Sequence, residues 1–260
     1  MNGLLEGMAR AIFKAWFIDF EPVKAKAAGA ASFPGMPQPV FDQLPTTFVN
    51  SELGEIPEGW EVGPILNRAH LLSGGAPKTA VEDYRNGSIK WASAKDVSQC
   101  GDSFLIESER NITQTGLDNS STKIIPRFST VIVSRGATTG RLTMFGDDIA
   151  MNQTCYALRS RGTDHFFLYC HSRHFIDRLV NSAHGSVFDT ITTKTFQTTS
   201  VLLPPESTAL DFQDLVAGLF EHVLLNLRES LILSRIRDTL LPKLISGEIT
   251  VPADNGGGDA

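Results

Sequence analysis

Apolar residues recur at three- and four-residue steps near the C-terminus: Phe212, Leu215, Val216, Leu219, Phe220, Val223, Leu224, Leu227 and Leu231. That is the period of a long amphipathic helix. Only Gly218 breaks the pattern between Asp211 and Pro242, and Ser207 is placed to cap its start. Thirty helical residues would reach roughly 45 Å, more than a small domain is wide. Such a rod is expected to lie along another helix, in the same chain or in a second one. A shorter stripe of Leu4, Leu5, Met8, Ile12 and Trp16, widened by Phe13 and Phe17, predicts a helix over 3–20 that ends at Pro22.

Between these helices the pattern changes twice. Residues 25–58 are rich in Ala, Gly and Pro and show no period, so a linker or a wrapped extended segment is expected. From Gly59-Trp60 onward come short runs of β-branched and apolar residues bounded by turn formers: 89–94, 130–134, 141–145, 155–160 and 199–204. One helical stretch interrupts them over 164–183, with Asp164 at its N-cap and Gly185 just past its end. Pro204-Pro205 closes the segment. The fold class is α+β, with an irregular, mostly antiparallel sheet domain, one internal helix and a long C-terminal helix. Arg10 to Glu21 also lies weakly over Arg237 to Glu248, which would make the chain one unit of a longer repeat begun within a helix.

Composition narrows the class. The 260 residues are 42% hydrophobic, enough for a large domain with an extension. No apolar run reaches the ~18 residues of a membrane span. Glu6, Arg10, Lys14 and Asp19 interrupt the N-terminal stripe, which also lacks a small-residue cleavage site, so no signal peptide is expected. Cys100, Cys155 and Cys170 show no paired spacing, which suits reduced thiols and a cytoplasmic location. The net charge of −6 is unevenly spread. From Trp60 to Pro205 there are 15 Lys and Arg against 13 Asp and Glu, while the remainder holds 8 against 16. The centre is mildly basic and the flanks acidic, and a nucleic-acid partner follows only if the cations cluster on one face.

Catalytic signatures are missing. There is no dinucleotide or phosphate-loop glycine pattern, no nucleophile elbow, and no carboxylate two residues before a Lys. Leu203-Pro204-Pro205-Glu206 is not the motif of an amino-methyltransferase. Cys170, His165, His171 and His174 are the one metal-like cluster, but closed zinc geometry needs about four ligands and no second pair stands nearby. No catalytic residue, metal site or cofactor is therefore expected. Four turns draw on small, hydroxyl, amide and cationic residues: Ser73 to Thr79, Ser134 to Arg141, Asn152 to Thr154, and His184 to Lys194. Glycine lets backbone approach a ligand, hydroxyls and Lys suit phosphate oxygens, and Arg, Asn and Gln pair with base edges. The candidate DNA contacts are Lys78, Thr79, Arg135, Thr138, Thr139, Arg141, Asn152, Gln153, Ser186, Thr192, Thr193 and Lys194, with Arg135 and Arg141 foremost. Such turns also occur in any irregular sheet, and Asn152-Gln153 could simply fix one. Lys95 reads as a solvated strand end, Trp60 and Trp91 as core.

Several short motifs follow one another in order: Gly59-Trp60 after Ile56-Pro57, Gly75-x-Pro77, Trp91-Ala-Ser-Ala-Lys-Asp96, Met151-Asn-Gln-Thr-Cys-Tyr-Ala157, Gly185-Ser186, Leu202-Leu-Pro204, and Arg237-Asp-Thr-Leu-Leu-Pro-Lys-Leu-Ile-Ser-Gly-Glu248. Together they resemble the DNA specificity (S) subunit of type I restriction-modification systems, in a half-length form with one target-recognition domain. The resemblance implies an N-terminal helix over 1–20 that is the tail of a preceding helical region, and a linker over 21–58. It implies a target-recognition domain over 59–205, a spacer helix over 206–249 that pairs as an antiparallel coiled coil, and a flexible tail over 250–260. It also implies a non-catalytic subunit that binds double-stranded DNA, recognises half of a bipartite target, docks methyltransferase subunits and meets restriction subunits. Two copies would pair through the long helix, with Val216, Phe220, Val223, Leu227 and Leu231 on the seam. Two other readings remain open from the residues alone: a coiled-coil assembly protein whose domain binds a non-DNA ligand, and a stand-alone DNA-modifying enzyme.

Overall fold

The computed structural model describes residues 1–78, 80–182 and 190–250. Helix α1 (Asn2–Phe17) forms where the first stripe predicts it and buries Ala9, Phe13, Trp16 and Phe17. Pro22 does not end this helix. The chain turns at Phe20, whose φ of 55° is left-handed, and α2 (Glu21–Ala27) begins with the proline in its first turn, where no N–H is needed. Helix α3 (Gln38–Gln43) and the hairpin β1 (Phe48–Ser51)–β2 (Gly54–Pro57) follow. The segment expected as a linker is thus a packed one. Met36, Val40, Phe41, Leu44 and Ile56 are buried in the same cluster as α1, and Lys26 Nζ donates to the carbonyls of Asp42 (2.7 Å) and Leu44 (2.6 Å). Its apolar residues lie singly between prolines and glycines, so they bury without any readable period.

Strands β3 (Glu61–Pro64), β4 (Ala69–Ser73) and β5 (Arg85–Ala92) open the central region, followed by α4 (Ala94–Gln99), β6 (Phe104–Leu105), β7 (Asn111–Ile112), α5 (Gln114–Asp118) and β8 (Ile124–Ile125). Strands β9 (Thr130–Val133), β10 (Leu142–Phe145), β11 (Ile149–Met151) and β12 (Cys155–Ser160) come next, then α6 (His165–Ser182), α7 (Thr193–Thr198), β13 (Ser200–Leu203) and α8 (Glu206–Ile245). They form a five-stranded sheet in the order β4-β12-β9-β10-β6, a four-stranded sheet in the order β7-β5-β11-β8, and the pair β13-β3. Among the described residues every ladder is antiparallel except β10–β6 and β11–β5. All five strand runs read from the sequence are strands, and the α+β class with its long final helix is the one observed. The other strands of the central region, several only two or three residues long, lie beyond the reach of a two-residue alternation.

Helix α6 covers the five-stranded sheet, packing Leu168, Phe175 and Ile176 against Ile132 and Leu158. Asp164 occupies its cap position, but the Asp164 carboxylate is turned to Arg68 (3.2 Å) and to the Ser160 hydroxyl. The cap comes from another helix instead: Gln213 Oε1 on α8 accepts the N–H groups of Phe166 (2.7 Å) and Phe167 (3.4 Å). Arg68 also donates to the Pro204 carbonyl and lies over the Phe167 ring, tying the start of α6 to the start of α8.

Helix α8 has Pro205 rather than Ser207 at its cap position, and no side-chain cap. Its 40 residues reach roughly 60 Å, and it runs through Pro242 to Ile245. The first half is covered by the chain itself. Phe212, Val216, Phe220 and Val223 are buried with α1 and α6 in one aromatic cluster, where Phe166 stacks on Phe220 at 4.8 Å. Asn226 donates to Asn2 (2.9 Å) at the end of this covered stretch. Beyond it Ile232, Leu233, Ile236, Leu240 and Leu241 are exposed. Left-handed residues follow both α1 and α8, Phe20 three residues past Phe17 and Gly247 two past Ile245.

Candidate nucleic-acid interface

The antiparallel order of the five-stranded sheet brings the selected turns to one end. Val133 pairs with Cys155, Tyr156 with Ser73, and Leu142 with Ile132. The exit of β4, the β9–β10 hairpin and the entry to β12 are therefore neighbours. Gly75 N–H bonds the Met151 carbonyl (2.9 Å), Ser134 N–H the Thr154 carbonyl (2.8 Å), and Ile191 N–H the Ser134 carbonyl (2.7 Å). Arg135 and Thr190 form an isolated bridge that adds the described part of the fourth turn, from Thr190 to Lys194. Glycine makes the closest approach possible. A Cβ on Gly74 would stand 2.0 Å from the Asn152 carbonyl oxygen, and one on Gly75 2.4 Å from the Ser121–Thr122 backbone.

The individual candidates divide. Lys78, Arg135, Thr138, Gln153 and Lys194 are exposed at this end. Arg135 leans to the Gln153 carbonyl (3.4 Å). Asn152 Oδ1 accepts from the Thr154 N–H (3.0 Å) and hydroxyl (2.6 Å), so it fixes its own turn. The Thr192 side chain caps α7 through a capping box with Thr195. Thr193 hydrogen-bonds to the Tyr156 hydroxyl at 3.4 Å, and the Thr139 hydroxyl donates to the Gly136 carbonyl (2.7 Å). Arg141, exposed, lines a different cleft with Arg173, Asp102 and Asp177 on the α6 side. Thr79, Ser186 and the Gly185 helix stop lie outside the described residues. Of the five residues expected on a pairing seam, Val216, Phe220 and Val223 are taken up inside this chain's own core. Leu227 and Leu231 are half-buried.

Charge separates the two faces. Near α8 the cations are paired: Lys90 with Glu107 (3.1 Å) and Asp147 (3.0 Å), Arg228 with Asp147 (2.7 Å), Arg235 with Glu107 (3.0 Å). The two arginines hold Asp147 and Glu107 against the helix, and the Lys90 and Arg228 contacts set the Asp147 carboxyl below its usual range although partial burial opposes them. Around the turns, Lys78, Arg85, Arg110, Lys123, Arg135 and Lys194 make no ion pair among the described residues. Composition gave no reason to single out Arg85, Arg110 and Lys123, because they lie in or beside strands rather than in glycine-rich turns.

Of the Cys-His residues, Cys170 and His171 are buried and His165 and His174 half-buried. His171 is buried among Phe13 and Phe167. Desolvation, helped by His174, Arg68 and Arg178, pushes its pKa down to about 3. Desolvation and the Arg159 charge lower His165 to about 4. Burial raises the Cys155 and Cys170 thiols to about 12, far from a reactive thiolate. No helix among the described residues is long and apolar enough to cross a membrane.

The family model of the type I restriction modification DNA specificity domain matches residues 57–219. The chain is 29% identical over 257 residues to the type I restriction enzyme MjaIX specificity subunit of Methanocaldococcus jannaschii, across 96% of this chain and 54% of that protein. It is 25% identical over 290 residues to the HindI specificity subunit of Haemophilus influenzae, across 96% of this chain and 62% of that protein. It thus spans a little over half the length of these relatives. Among solved structures, the type I restriction-modification S subunit from M. genitalium has the same fold over 72% of this chain and 46% of that chain, at a TM-score of 0.50 and 16% identity.

Proposed function

The chain belongs to the type I restriction modification DNA specificity family, and from that premise we propose that it is the non-catalytic DNA-reading component of a type I restriction-modification complex. The sheet domain would bind one half of a bipartite duplex target. Adenine methylation and cleavage would reside in partner methyltransferase and restriction subunits, docked on the acidic, apolar helical side, in the cytoplasm. The observation that carries this reading is the convergence of the Ser73–Lys78, Ser134–Arg141, Asn152–Thr154 and Thr190–Lys194 segments on one end of the five-stranded sheet, where Lys78, Arg135 and Lys194 make no ion pair among the described residues. Glycines bring the backbone close, Lys78, Lys194 and backbone N–H groups suit phosphates, and Arg135 and Gln153 offer the paired donors and acceptors that read base edges. The domain limits 59–205 and 206–249 are part of the same proposal.

Pairing of two copies completes it. Because α1 and α6 already cover Val216, Phe220 and Val223, the pairing surface is the second half of α8, from Leu227 and Leu231 through Ile236 to Leu240. Two such halves laid antiparallel would hold two recognition domains at a fixed spacing and read a symmetric, two-part site. The decisive experiment combines the chain with its methyltransferase subunits on genomic DNA and maps methylated adenines. Methylation confined to one bipartite motif, and redirected or lost when Arg135 and Gln153 are both changed to Ala, is the expected result. Scattered methylation by the assembled complex would refute the reading.

A further inference from the structure

Strand β5 does not run regularly. Arg85 and Ile89 both pair with Ile112 of β7, so a bulge lies between them. Asn86 in the bulge has φ 56°, a left-handed position where an L side chain is uncommon. Gly87 is pressed on β7, and a Cβ there would stand 2.4 Å from the Ile112 carbonyl oxygen. Across the ladder, Trp91 N–H bonds the Arg110 carbonyl (3.0 Å), which also accepts from Ser108 Oγ (2.8 Å). The bulge and this anchoring set Arg85, Asn86, Arg110 and Asn111 around one cleft of about 580 Å³, with Lys78 on its rim and Trp91 at its floor. The Trp91 ring is buried and fixed by its Nε1 donating to the Gly75 carbonyl (3.1 Å), the same glycine that packs the first turn onto Ser121 and Thr122. The cleft is therefore rigid and continuous with the turn end of the five-stranded sheet.

Its charge is of one sign. Among the described lining residues there are three cations and no carboxylate, and Lys78, Arg85 and Arg110 have no ion pair. The other polar clefts mix signs: Glu6, Asp102 and Asp177 with Arg10 and Arg173 in one, Glu61, Asp164 and Glu206 with Arg68 and Arg161 in the other. The carboxylates nearest in sequence are Glu82 and Asp83 on the turn before β5, and Glu109, which is paired with Lys95 (2.7 Å). Three exposed cations held together without a counter-charge repel one another, and a polyanion relieves that repulsion.

We propose that the Lys78–Arg85–Arg110 cleft is a phosphodiester-binding site that grips a DNA strand beside the bases presented to the turns. Asn86 and Asn111 supply neutral donors to the same phosphate oxygens. The proposal rests on the DNA-reading function above and assigns to the four-stranded sheet the task of positioning, separate from base readout by the turns. It is tested on the intact chain by titrating mixed-sequence duplex DNA at several concentrations between about 50 and 200 mM salt. In the doubly substituted Arg85→Gln/Arg110→Gln protein the slope of log affinity on log salt flattens by about two, and affinity falls on every sequence alike. Arg85→Lys/Arg110→Lys keeps the slope. Asn111→Asp, which changes one atom and places a negative charge in the cleft, weakens binding while leaving the urea midpoint near the wild-type value. Salt-dependent binding by wild type that the double Gln and Asn111→Asp proteins both retain in full would overturn the cleft alone. No salt-dependent duplex binding by wild type would overturn it together with the DNA-reading function.

Discussion

Gly74 decides how closely two of the recognition turns can lie. Any side chain there meets the Asn152 carbonyl oxygen, and the backbone cannot retreat because Gly75 is held to Met151 and pressed on Ser121. Gly74→Ala is expected to cost about 2 kcal/mol or more, as overpacking against backbone does. Urea unfolding of the two proteins measures it, and an unchanged midpoint would mean that the turns are not packed as described. At this scale the sequence was legible by composition. It selected the segments that meet at the sheet end, because glycine and hydroxyl residues cluster where backbone must approach backbone. It could not say which side chains remain available. Asn152 and Thr192 have the right chemistry for DNA but use it on Thr154 and on the cap of α7. Arg85 and Arg110 sit in strand contexts that carry no such signal, and only the bulge in β5 shows where they stand.

Among the elements, α6 shows what periodicity reveals and what it hides. It is helical as far as Ser182, and its start was readable to within a residue. Its capping by Gln213 was not, since that partner lies 47 residues away on another helix. The same helix makes the fold sensitive to pH. The folded chain keeps His171 neutral down to about pH 3. The unfolded chain protonates it near its ordinary value of ~6.5, so between these limits the unfolded state binds more protons. Stability is therefore full above about pH 6.5 and falls as pH drops, with a slope approaching ~1.4 kcal/mol per pH unit from this group alone. His165 and His174, both lowered first by desolvation, act in the same direction. His171→Phe places a ring of similar size among Phe13 and Phe167 and removes the titration. The difference in urea midpoint between pH 7 and pH 5 should shrink in this variant, and an undiminished difference would place the sensitivity elsewhere.

The whole molecule has two surfaces of opposite character. At the sheet end Lys78, Arg85, Arg110, Lys123, Arg135 and Lys194 make no ion pair among the described residues. On α8, Arg228 and Arg235 are paired with Asp147 and Glu107, and the same distal half also exposes a stripe of apolar side chains. Leu225, Ile232, Leu233, Ile236, Leu240, Leu241 and Leu244 are each 40–60% exposed, spread over roughly 30 Å of helix. The apolar period announced this helix but could not show that α1 and α6 occupy its first half. That is why a seam placed at Val216, Phe220 and Val223 falls inside the chain, while the exposed apolar residues of α8 lie farther along. An uncovered stripe of that length is far beyond the scattered apolar residues normal on a monomer surface. A second copy laid antiparallel covers both stripes at once by the same residues on each side. The wild-type chain is therefore expected to scatter light as twice 28.3 kDa at micromolar concentration, falling towards the single mass on dilution. Leu233→Glu/Ile236→Glu, at positions open to solvent within the single chain, should leave the urea midpoint of the sheet domain unchanged and shift the mass to that of one chain. The altered protein should still bind a duplex carrying one half-site, while losing the preference for two half-sites at fixed spacing. A wild-type chain that stays single at every concentration would instead assign the distal half of α8 to a different partner.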